Sequence, residues 1–198
     1  MDDILAVTLL VAETLERMDV PYVVGASLAS SFHGIPRATI DADLVAALRA
    51  DHRSHLVEAL EEDFYLDPEA ISRAIESRAS FNVIHLETMF KVDVFVAQND
   101  RATRQELERG VRMVVADAPE RTLRIASAED TIAHKLYWYE LGDEVADRQW
   151  TDAIGVLKVA GEHLDYAYLR HTASLLGVEH QLRQALAETG REGAAGGE

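Results

Sequence analysis

Residues 23–48 read VVGASLASSFHGIPRATIDADLVAAL. A hydrophobic run closes in Gly25-Ala26-Ser27, and a second one carries two carboxylates as Asp41-Ala42-Asp43. Side chains at i and i+2 of a strand point the same way, so Asp41 and Asp43 project together. Thr39 shares their parity, and Arg37 lies just before it. The small-residue turn sits at a strand-to-helix junction, where backbone N–H groups and the helix dipole favour an anion. Two carboxylates beside such a turn are the least apparatus that places Mg²⁺ on a nucleoside triphosphate. The same pair also suits a solvent-facing strand edge, and alone it does not separate the two readings.

Outward from this stretch, the hydrophobic pattern predicts an α/β (α+β) chain. Ile4, Val7, Leu10, Val11, Leu15 and Met18 recur at helical spacing over 3–18. Pro21 then breaks into a strand, 22–25, a short helix follows over 27–33, and Pro36 ends it because the residue before proline is pushed out of helical conformation. Strand 40–48 leads to a helix over 51–63 opened by an Asp51 cap, and to another over 68–78 with Pro68 in its first turn. Strands are predicted over 81–86, 91–97, 111–116 and 122–125, with a helix over 101–109. In 91–97, Val92, Val94 and Val96 face one way, into a core, while Lys91, Asp93 and Phe95 face the other. Asp93 is thus a third carboxylate on a hydrophobic strand, where a charge is costly unless paired or coordinated. Three converging acids are able to hold two Mg²⁺ ions.

From Ser127 the pattern is helical only. Ser127-Ala128-Glu129-Asp130 reads as a cap followed by acids in the first turn. Helices over 131–141, 145–159, 166–176 and 178–189 complete the chain. The expected organisation is a small mixed β-sheet core, 1–126, a helical C-terminal subdomain, 127–189, and a disordered tail, 190–198.

Composition sets the outer bounds. The chain has 198 residues, 48% of them hydrophobic and 27% charged, and no cysteine. This excludes disulfides and thiolate zinc sites. The start, MDDILAVTLL, lacks the positive charge of a signal peptide, and no apolar run reaches the ~20 residues of a membrane span. A cytoplasmic protein without a membrane partner is expected. The net charge is −16, which opposes a long nucleic-acid footprint, since affinity for phosphates comes from Lys and Arg. Arg101, Arg104, Arg109, Arg112, Arg121 and Arg124 offer either a local basic surface or a solvated mixed-charge face. Only Lys91, Lys135 and Lys158 stand against 16 arginines, so each lysine draws notice. No HExxH or GxSxG occurs. His52 and His55 read as one exposed helical face, His33 and His134 as structural histidines, and Tyr137-Trp138-Tyr139 and Trp150 as helix packing.

Gly-Ala-Ser, thirteen residues and Asp-Ala-Asp together resemble the signature of DNA polymerase beta-like nucleotidyltransferases. The longer string GASLASSFHGIPRATIDADLV is similar to the AbiEii-type group, which includes toxins of abortive-infection and toxin–antitoxin systems. FKVDVFV resembles that group's lysine-and-acid strand, SAEDTIAHKL its helix with an acidic start and a lysine, and DRQWTD its last motif. The resemblance spans 20–157. It implies metal-dependent transfer of an NMP from an NTP to a hydroxyl, with release of pyrophosphate. Asp41, Asp43 and Asp93 would hold Mg²⁺ or Mn²⁺, Asp93 also serving as general base. Gly25 and Ser27 would contact the β,γ-phosphates, with Arg37, Lys91 and Lys135 as candidates for the triphosphate or pyrophosphate. Asp152, with Arg148, would orient Lys135, or the two would form a plain i,i+4 salt bridge. The acceptor would be an RNA such as the tRNA 3′ end, a small antibiotic-like molecule or a protein, and an antitoxin partner is implied. A non-catalytic nucleotide sensor or regulatory partner is the competing class. One departure is Ala26, where the group has a second glycine.

Overall fold

The computed structural model describes residues 3–36, 39, 41–117, 119–142, 146–191 and 193. It forms two compact units: Met1–Gly25 with Ala38–Ile125, and Ala26–Arg37 with Ala126–Glu198. Residues 26–37 therefore make an excursion out of the sheet unit that a single boundary at 126 does not include.

The first unit is built on seven strands, β1 (Tyr22–Val24), β2 (Asp41–Ala46), β3 (Phe64–Tyr65), β4 (Ser80–His85), β5 (Lys91–Val96), β6 (Val111–Asp117) and β7 (Glu120–Ile125). They lie in the order β3-β4-β5-β2-β1-β7-β6. The sheet is mixed, as the sequence predicts: β2 runs parallel to β5 and β1 to β7, and the other neighbours are antiparallel. Alternation fixes the faces. Ala42, Leu44, Ala46, Val92, Val94 and Val96 are buried, and the intervening residues of both strands are half-buried. A one-residue slip would bury the acids and expose the aliphatics, so the register is strongly specified.

The helices of this unit are α1 (Asp3–Arg17), α3 (Arg53–Leu60), α4 (Pro68–Ser77) and α5 (Arg101–Arg109). Ile4, Val7, Val11 and Leu15 of α1 are buried, and the helix packs against α3, β2 and β7. Asp67 caps α4 by accepting from the backbone N–H groups of Glu69 and Ala70 at 2.8 and 3.1 Å, a contact worth about 1 kcal/mol.

Three local expectations are corrected. The helix predicted to open at Asp51 begins at Arg53, after a 3₁₀ turn over Ala50–His52, and the Asp51 carboxylate accepts from Arg49 Nη2 instead. His52 is buried rather than exposed, with its Nδ1 accepting from the Arg49 backbone N–H at 3.2 Å. Strand β3 is not predicted at all, because two residues are too few to show a period.

The second unit is helical: α2 (Ala26–His33), α6 (Ala128–Glu140), α7 (Ala146–Ala160), α8 (Tyr166–Leu176) and α9 (Glu179–Glu188). Ile132, Leu136, Ile154, Leu157, Leu169, Leu182 and Leu186 meet in one core, and Trp150 packs against it. Helix α2 packs on α6 and α7. The chain after α2 is fixed by close backbone approach: a Cβ on Gly34 would lie 2.9 Å from Ser30 O and 2.9 Å from Val156 N. Within the same unit, His33 Nε2 is 2.7 Å from the Ala126 carbonyl oxygen, the structural role expected of it. The predicted tail, 190–198, falls largely outside the described residues. Among the described residues no helix is long and apolar enough to cross a membrane.

Candidate active site

Asp41 opens β2, Asp43 follows two residues on, and the parallel pairing with β5 sets Asp41 opposite Lys91 and Asp43 opposite Asp93. Residues opposite one another in a parallel pair share a face, and neighbouring strands are about 4.8 Å apart. Three carboxylates and one ammonium thus occupy two adjacent rungs of the half-buried face. Lys91 Nζ lies 2.6 Å from Asp93 Oδ2. That hydrogen bond holds the lysine above its ordinary value of 10.5, against the opposing effect of burial, and the charges of Asp93, Asp41 and Asp43 add to it. The stabilisation is full below 10.5 and is lost as pH rises through the raised folded value.

Gly25 follows β1 directly, beside the pair. Its backbone N–H donates to the Asp43 carbonyl oxygen at 2.9 Å, one residue beyond the Val24–Leu44 rung. A Cβ built on Gly25 would meet nothing within 4 Å. Neither packing nor a left-handed φ therefore demands glycine there, and the space in front of the backbone stays open. Thr39 is used differently from expectation, since its hydroxyl donates to the Asp41 carbonyl oxygen at 3.0 Å and fixes the entry to β2.

The donor set suits a hard divalent cation, because carboxylate oxygens are what Mg²⁺ and Mn²⁺ prefer. The acids fit in kind and share a face. Among the described residues, however, no three acids or imidazoles gather closely enough to hold an ion as they stand. Lys91 is the cation paired with Asp93.

The remaining predicted residues lie elsewhere. Arg37 is outside the described residues. Ser27 is the second residue of α2, in the helical unit, and its carbonyl oxygen accepts from Ser30 and Ser31 Oγ, each at 3.0 Å. In that unit Lys135 Nζ of α6 meets Asp152 Oδ2 of α7 at 2.9 Å, with the lysine side chain only 2% exposed. Asp152 therefore does pair with Lys135, whereas Arg148 is exposed.

The acids of the SAED segment turn out to be buried. Asp130 accepts from Ser127 Oγ at 2.6 Å and from the Tyr168 hydroxyl at 2.8 Å, while its own N–H donates back to Ser127 Oγ. Glu129 accepts from the Asp165 backbone N–H at 2.8 Å and so ties α6 to the start of α8. Ser followed three residues later by an acid was the available signal, but Tyr168, 38 residues on, carried none.

The arginines of 101–124 are largely occupied within their own unit. Arg121 Nε is 2.9 Å from Glu13 Oε1, Arg112 is 3.4 Å from Glu16, and Arg124 Nη2 donates to the carbonyls of Leu107 and Glu108. Arg104 donates to the Asp100 carbonyl. The mixed-charge reading fits this stretch better than a basic surface.

No protein-family model matches the chain, and no curated protein matches it significantly. Solved structures do. An antigenic nucleotidyltransferase-like protein from Paracoccidioides brasiliensis superposes with a TM-score of 0.55 at 15% identity, over 95% of this chain and 92% of that one. The chain has a nucleotidyltransferase-like fold. ANT(2'')-Ia in complex with adenylyl-2''-tobramycin gives a TM-score of 0.51 at 17% identity, over 91% of this chain and 99% of that one. At these identities the likeness is one of fold, and it covers both units of the chain.

Proposed function

We propose that the protein is a metal-dependent nucleotidyltransferase. The observation that carries the reading is the placing of Asp41, Asp43 and Asp93 on one face of adjacent strands, next to the open space before Gly25. Asp41 and Asp43, joined by Asp93, are the residues that would hold Mg²⁺ or Mn²⁺. A bound ion would neutralise triphosphate charge and polarise the α-phosphate. The open space before the Gly25 backbone leaves room for a phosphate that a side chain would obstruct. Asp93 takes the proton of the acceptor hydroxyl. The oxygen then bonds to the α-phosphorus, the bond to the β-phosphate oxygen breaks, and pyrophosphate leaves.

For the acceptor, a small cationic molecule is the favoured reading. A net charge of −16 and arginines engaged with Glu13, Glu16 and backbone carbonyls leave little to grip RNA phosphates. The fold likeness to ANT(2'')-Ia bound to adenylyl-2''-tobramycin is compatible with such an acceptor. The AbiEii-type resemblance argues instead for an RNA 3′ end, with an antitoxin partner and growth arrest on expression.

Incubation with α-phosphate-labelled NTPs and total cell extract separates these. Label in small molecules supports the favoured acceptor, and label in RNA supports the toxin-like one. Mg²⁺-dependent NTP binding without any transfer would leave a nucleotide sensor and overturn the enzymatic reading.

A further inference from the structure

We propose that Lys91 is a resident counter-ion of the carboxylate face, which engages Asp93 when no divalent cation is present and yields it when one binds. The inference rests on the reading above and adds to it a residue that sets how tightly the face takes a cation.

Register and reach supply the first support. Lys91 is two residues before Asp93 on the same face of β5, its rung partner is Asp41, and its Nζ is 2.6 Å from Asp93 Oδ2. Asp43 occupies the rung of Asp93. The four charges therefore sum to two negative, and the ammonium, paired with Asp93, stands among three half-buried carboxylates. Like charges this close repel strongly when partly removed from water.

Exposure supplies the second. The Lys91 side chain is 39% exposed and that of Asp93 21%. The lysine thus has solvent to swing into on a flexible stem, while Asp93 stays on the face. Exchange of one cation for another moves the lysine and leaves the acids in place.

The choice of lysine supplies the third. The chain has 16 arginines and only three lysines, yet a lysine stands here. A guanidinium would grip the carboxylate through a planar fork and resist displacement. An ammonium is a compact point charge that a hydrated divalent cation replaces more readily.

The test is Mn²⁺ binding to the full chain without nucleotide, read from the free-ion paramagnetic resonance signal, for wild type, Lys91→Met and Lys91→Arg. Circular dichroism melts establish that each variant is folded at the assay temperature, and Lys91→Arg keeps the comparison decisive if Lys91→Met is not. We expect Lys91→Met to bind Mn²⁺ about tenfold more tightly, since a repelling charge leaves and a carboxylate is freed. Lys91→Arg should bind more weakly than wild type. Equal or weaker binding by Lys91→Met, or tighter binding by Lys91→Arg, overturns the inference and leaves the metal site standing. Failure of wild type and Lys91→Met alike to bind Mn²⁺ overturns the site itself, and the inference with it.

Discussion

Asp43 and Asp93 stand on the same rung of two parallel strands, so their carboxylates share one half-buried face. No packing requirement puts them there, since the opposite face of both strands is wholly aliphatic. Replacement by the isosteric amide should therefore leave the fold intact and remove only charge. Asp41→Asn, Asp43→Asn and Asp93→Asn are each expected to lower nucleotidyl transfer by about 10²–10³-fold or more, with a melting temperature at or above that of the parent for Asp41→Asn and a lower one for Asp93→Asn, which loses the ion pair with Lys91. Transfer of labelled NMP and thermal melts read the two effects separately. A variant that keeps its activity removes that residue from the site.

Gly25 offers a probe free of strain. Its backbone takes no left-handed φ, and a side chain there would meet open space. Gly25 is buried, but a Cβ there meets nothing within 4 Å, so Gly25→Val is expected to remain folded. It should nevertheless weaken NTP binding at least tenfold, measured by titration calorimetry, because the isopropyl group fills the approach to the backbone. Unchanged affinity would show that no phosphate comes close to this turn.

Lys135 and Asp152 form a buried pair between α6 and α7. Lys135→Met removes one partner of the buried Asp152 carboxylate, and a loss of stability is expected, up to about 3–5 kcal/mol. The double variant Lys135→Met/Asp152→Leu should recover most of the loss, since two apolar groups replace two buried charges. Urea unfolding of the four proteins measures the coupling. An additive double variant would mean the pair contributes nothing as a pair.

Tyr168→Phe removes one donor from the fully buried Asp130 carboxylate. A hydrogen bond to a charged acceptor is worth about 1.5–3 kcal/mol, and a loss of that size in denaturant unfolding is expected. No loss would mean that water or Ser127 alone satisfies the acid.

Much of this was legible in the chain because strand parity is a local property. Asp41, Asp43, Asp93 and Lys91 fell on one face by counting twos, and Val92, Val94 and Val96 on the other, and the structure agrees. The Ser127 cap was readable for the same reason, since its partner is three residues away. What was not legible depends on distant partners. Helix α2 joins the C-terminal helices because Gly34 meets Val156 across more than 120 residues of sequence. The arginines of 101–124 left a basic surface and a mixed-charge face both open, because Glu13 and Glu16, on α1, carry no mark that they will meet them. Asp51 looked like a cap, but a 3₁₀ turn before Arg53 moved the helix start beyond its reach.

The central claim is that the Asp41–Asp43–Asp93 face transfers a nucleotidyl group. Pyrophosphate release tests it most directly, measured with the full chain, each common NTP, Mg²⁺ or Mn²⁺ and cell extract as the source of acceptor. The account predicts release by the wild-type chain, one NMP transferred per pyrophosphate, and none above background for Asp41→Asn. Absence of release with every NTP and both ions, or equal release by Asp41→Asn, would contradict it.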